Sequence, residues 1–141
     1  MTTQHSPGAY VRHGGGSGAL VRALVSRIHP VFMLPPIACS LFGAALAGPF
    51  VPRVALLHAV AVFAAVYTAH VKDGYVDFHQ RGEDDDHPMT VGGCRLVLVG
   101  SGVSFGICTA ALGFFVGIGA ALVTLPTWFI GYLHAPQLDM N

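Results

Sequence analysis

Six of the chain's seven carboxylates fall between Asp73 and Asp86, in the string DGYVDFHQRGEDDD, at the exit of an otherwise apolar, membrane-length stretch. Asp73 and Asp77 are four residues apart. A helix running about a turn and a half beyond the bilayer would therefore stack them on one face. Carboxylates held that close repel, and a hard cation between them turns the repulsion into binding. Magnesium takes only one or two protein carboxylates and completes its octahedron with water and phosphate oxygens, which suits two helical aspartates facing an incoming diphosphate. Acids beside Tyr75 and Phe78 at the end of a spanning helix are costly unless used. Asp84, Asp85 and Asp86 by themselves read as a solvated turn, in a loop that opens at Gly82 and closes at His87-Pro88, where Pro88 disfavours helix at His87.

The elements that must hold these acids are membrane helices. The 141 residues are 53% hydrophobic, 10% charged and include 18 glycines, which excludes an ordinary water-soluble domain. Four apolar runs approach the roughly 20 residues a crossing needs: 31 to 48, 52 to 71, 95 to 113 and 116 to 133. The last two form one uncharged stretch, which breaks near Gly113 to Gly119, where glycine permits a short turn. The fold class expected is all-α, an integral membrane bundle of about four transmembrane helices. Residues 1–21 are polar and Gly/Ser-rich and read as a disordered cytoplasmic tail, followed by a transmembrane region, 22–141, with an acidic loop at 72–94. Arg12, Arg22 and Arg27 before the first span, and Lys72, Arg81 and Arg95 around the acidic loop, put the N-terminus and that loop on the cytoplasmic side of a cell membrane. Cys39, Cys94 and Cys108 lack metal-ligand spacing and read as small packing residues.

The string Asp73-Gly74-Tyr75-Val76-Asp77-Phe78, followed by His79-Gln80-Arg81-Gly82-Glu83-Asp84, resembles the first aspartate-rich motif of the UbiA superfamily of membrane prenyltransferases. The opening Arg27-Ile28-His29-Pro30 through Leu34-Pro35-Pro36 with Gly43 is similar to that family's first helix. The closing Gly131-Tyr132-Leu133-His134-Ala135-Pro136-Gln137-Leu138 is similar to the stretch after its fourth. Asp73 stands where the family usually has asparagine, Gly74 where it has the adjacent aspartate, His70 where another asparagine is frequent, and Asp139 where a lysine is familiar. The resemblance implies a partial UbiA-type fold, its N-terminal half, and a reaction in which a polyprenyl diphosphate loses pyrophosphate to an aromatic or lipid acceptor. Bound Mg²⁺ would neutralise the charge developing on the leaving group. By the same resemblance Asp73 and Asp77 hold the metal as the catalytic pair, with Glu83 or Asp84 as a further acidic ligand, and Lys72 and Arg81 contact diphosphate oxygens. Phe32, Phe63 and Phe105 offer apolar walls to an isoprenoid tail. The family carries a second aspartate motif in its other half. None follows here, so a second chain supplying the missing helices, or a truncated reading frame, is expected, and Gly43, Gly100, Gly102 and Gly106 would permit close helix approach.

Two rival readings use other residues. Haem between facing histidines needs a partner for His58, which alone among the eight histidines lies well inside a span; a hydrogen-bonded packing role suits it better. A small non-enzymatic four-span protein, with the acidic loop as a partner-docking surface, is the alternative function. No nucleic-acid partner is expected.

Overall fold

The computed structural model describes residues 9–134, which are helical throughout apart from short connections and one isolated bridge. The order is α1 (Gly16–Val25), α2 (Pro30–Leu46), α3 (Pro52–Val76) with a π turn (Asp77–Arg81) on its end, α4 (Val91–Phe115) and α5 (Ile118–Leu133). Proline opens α2 and α3, where its missing N–H costs nothing and its fixed φ suits a first turn. Thr90 caps α4 by accepting from the Gly93 N–H at 3.1 Å. The break expected between Gly113 and Gly119 falls at Val116 and Gly117, whose φ of 128° needs glycine.

Among the described residues, two helices are long and apolar enough to cross a membrane: α3 with its π turn, 30 residues, and α4, 25 residues. A third crossing results if α1 and α2, bent by 70° at the break between them, form one broken span. That bend lies ahead of Pro30, and α2 runs on through Pro35 and Pro36. The 16 residues of α5 extend about 24 Å, short of a hydrocarbon core of about 30 Å.

The central helix is α3, which packs against α2, α4 and α5. Small residues make this possible. Ala61, Ala64 and Ala65 form a buried cluster with Phe105 and Cys108, bordered by Leu57 and Trp128, and a Cβ on Gly131 would come within 2.8 Å of the Ala65 carbonyl oxygen. Where lipid is as apolar as the side chains, such close approach and interhelical hydrogen bonds are what hold helices together. Thr68 and Ser101 hydroxyls bond across α3 and α4 at 2.7 Å, and Ser40 bonds His58 Nδ1 at 2.7 Å across α2 and α3. The Ser40 bond gives His58 the packing role expected of it.

The N-terminal segment differs from expectation. Residues 9–21, read as part of a disordered tail, are structured: Val11 is buried and bridges to Met89, the Arg12 N–H donates to the Pro88 carbonyl, the Thr90 N–H donates to the Tyr10 carbonyl, and α1 begins at Gly16. Backbone pairing to the 86–90 loop, which no sequence period reports, supplies the order that the polar composition lacks. The expected close-approach glycines also differ. A Cβ on Gly43, Gly100 or Gly106 would meet open space, and one on Gly102 would reach Trp128 at an ordinary 3.5 Å.

Candidate functional site

Helix α3 does not stop at the edge of its apolar stretch. It continues through Asp73 to Val76, widens into the π turn and ends at Gly82 in left-handed conformation, so that the Glu83 N–H donates back to the Asp77 carbonyl at 2.8 Å. That reversal folds the acidic loop onto the helix end. Asp77 is half-buried and lies in the electrostatic field of Asp73, Glu83 and Asp84. Arg81 sits among these acids, 3.8 Å from both the Asp77 and the Glu83 carboxylates. Three of the four predicted metal ligands, Asp73, Glu83 and Asp84, thus act on the charge of the fourth, Asp77, which Arg81 borders.

The remaining predicted residues go elsewhere. Lys72 is buried and faces α5, donating to the Tyr132 carbonyl with its ammonium 4.0 Å above the Tyr132 ring. Asp86 joins the N-terminal strap: Arg12 donates to it at 3.0 Å and His13 lies at 2.9 Å, and the His13 hydrogen bond holds its carboxyl below the usual range. Phe105 is in the core, Phe63 stacks on Tyr67, and Phe32 is exposed. Positions 135–141, including Pro136, Leu138 and Asp139, lie outside the described residues.

Beside the acids is a second group that the sequence did not single out. His79 on the π turn, His87 in the loop and Cys94 in the first turn of α4 present ligand atoms all within 4.8 Å of one another. Among the described residues this is the only set of three or more His, Cys, Asp or Glu groups so close, and the carboxylates do not form one. His87 and Cys94 are fully buried. Burial, aided by the nearby Arg27 guanidinium, pushes His87 down to about 4, so it stands as a neutral imidazole. The Met89 carbonyl lies 3.2 Å from His79 Nε2 and 3.1 Å from His87 Nδ1, while His87 Nε2 is buried without a hydrogen-bond partner. Gly74 explains how Arg27 reaches this place, since a Cβ there would sit 2.4 Å from the guanidinium and 3.2 Å from His87 Nε2. The sequence carried a faint signal, three ligating side chains within the stretch 79–94, but only the chain reversal at Gly82 and Pro88 brings them together.

No family model, curated protein or solved structure matches the chain.

Proposed function

We propose that this chain is the N-terminal part of a UbiA-type intramembrane prenyltransferase, binding Mg²⁺ and a polyprenyl diphosphate at the acidic end of α3. The observation that supports the reading is the position of Asp77, in the field of Asp73, Glu83 and Asp84, where an apolar helix ends. Carboxylates so placed at a membrane-exposed helix end favour a divalent cation, and the cation favours a diphosphate. On this reading Asp73 and Asp77 hold Mg²⁺, Glu83 or Asp84 completes the protein ligands, and Arg81 contacts diphosphate oxygens. Lys72 takes part only by exchanging the Tyr132 carbonyl for a diphosphate oxygen. Helices α2 and α5 also insert, for four crossings, with the acidic loop cytoplasmic.

The tail would lie against apolar walls. A cavity of about 650 Å³ between α2, α3 and α5 is lined by Pro36, Val62, Val66, Ala69 and Ile130, among others, and Ala69 stands one helical turn before Asp73. The acceptor is an aromatic or lipid nucleophile, and a second cation site, supplied by another chain or segment, completes the diphosphate clamp. The test is Mg²⁺-dependent binding of a non-hydrolysable prenyl diphosphate analogue to detergent-purified protein. Wild type is expected to bind and Asp77→Ala to lose at least tenfold in affinity. Equal binding by both removes the reading and leaves the exposed Asp84 and Asp85 as a partner-docking surface of a non-enzymatic membrane protein.

A further inference from the structure

We infer that His79, His87 and Cys94 form a zinc site that fastens the π turn, the acidic loop and the start of α4 to one another. The inference stands independently of the prenyltransferase reading and uses none of the acidic residues.

Two imidazoles and a thiol are a borderline-to-soft donor set, which suits Zn²⁺ and does not suit Mg²⁺. Tetrahedral zinc with bonds of about 2.0–2.3 Å needs ligand atoms about 3.3–3.8 Å apart. Here the three lie within 4.8 Å, with Cys94 Sγ 4.0 Å from His87 Nδ1, so a contraction of at most about 1.5 Å, reachable by side-chain rotation, completes the geometry. The imidazole of His87 is fully buried, and its Nδ1, the nitrogen that faces Cys94, accepts from the Met89 N–H at 3.1 Å, a bond that the ion would replace.

Access is also present. An open depression of about 550 Å³, lined by Ala9, Arg12, His79, Thr90, Val91 and Gly92, reaches His79 from the surface and leaves a path for the ion and for water in the fourth position. Arg27 stands on the Nε2 side of His87 and Cys94 on the Nδ1 side, so the guanidinium and the ion would lie across the ring from each other. On binding, a Zn–S bond replaces the Cys94 S–H bond, the proton passes to solvent, and each histidine donates a nitrogen lone pair, with no change of oxidation state. The consequence is structural. Zinc would pin His79 and, through the π turn, fix Asp77 and Arg81 in register, while pulling the loop beneath the N-terminal strap.

Cobalt(II) serves as the spectroscopic probe. Chelator-stripped protein in detergent is expected to take up one Co²⁺ per chain, showing a thiolate-to-cobalt band in the near ultraviolet and the visible bands of a tetrahedral ion, both erased by added Zn²⁺. Cys94→Ser should abolish the thiolate band, His79→Gln should weaken binding at least tenfold, and Cys108→Ser should change nothing. X-ray absorption of the zinc-loaded wild-type chain gives the first shell directly, even if a variant fails to fold, and one sulfur with two imidazole nitrogens is expected. Absence of cobalt uptake by wild type, a thiolate band that survives in Cys94→Ser, or a first shell without sulfur overturns the site. Each of these results leaves the Asp77 binding experiment unaffected.

Discussion

Arg81 and Lys72 look alike in the sequence, as two bases flanking an acidic string, yet the structure sends them to different work. The guanidinium of Arg81 lies 3.8 Å from both Asp77 and Glu83, where an incoming anion would meet it. The Lys72 ammonium is buried against Tyr132. A buried cation over an aromatic face, with a carbonyl as acceptor, is satisfied locally, and its removal leaves that carbonyl short of a donor. Arg81→Gln is therefore expected to weaken Mg²⁺-dependent analogue binding severalfold with little change in thermal stability. Lys72→Met is expected to do the reverse, lowering stability by about 1–3 kcal/mol. Isothermal titration and a detergent melt on both variants check the pair, and a larger loss of affinity in Lys72→Met would restore it as the main diphosphate contact.

Among the elements, the strap at residues 9–13 depends on one glycine in the first turn of α4. A Cβ at position 93 would come within 2.1 Å of the Tyr10 carbonyl oxygen, and backbone cannot swing aside as a side-chain tip can. Gly93→Ala should displace the strap, costing about 1–3 kcal/mol as other overpacking changes do. The Arg12 and Thr90 amides, now bonded to Pro88 and Tyr10, should then exchange with solvent much faster while the amides of α3 stay protected. Unchanged protection at Thr90 would mean the strap tolerates the methyl. The same crossing explains why this polar, glycine-rich segment is ordered: its backbone finds partners in the loop, and Asp86 adds Arg12 and His13.

For the whole molecule, the acids, the His/His/Cys group and the strap all gather where α3 ends and α4 begins, while large apolar side chains such as Leu46, Phe114 and Val123 are exposed along the helices. Such an apolar exterior suits lipid and not water. With Lys72, Arg81 and Arg95 around the loop, the positive-inside rule would place that end in the cytoplasm on the proposed reading. In a cysteine-free background, Asp85→Cys on its exposed loop should resist a membrane-impermeant maleimide in intact cells and react after permeabilisation. Labelling in intact cells would reverse the orientation and move the proposed diphosphate site outside.

Hydropathy was sufficient to give α2 to α5, their near boundaries and a break between Gly113 and Gly119, though not α1, because apolar length and a residue able to adopt positive φ are local properties. The four-residue spacing of Asp73 and Asp77 was equally local. What the chain's one-dimensional pattern could not carry was the return path. Gly82 turning Glu83 back to Asp77, Tyr10 crossing Gly93, and His79, His87 and Cys94 meeting beside Arg27 all depend on which segments touch after the chain reverses. Those contacts are set by backbone hydrogen bonds and packing between residues distant in sequence, so a segment polar enough to read as a tail became a strap, and a cysteine that read as filler became a ligand candidate.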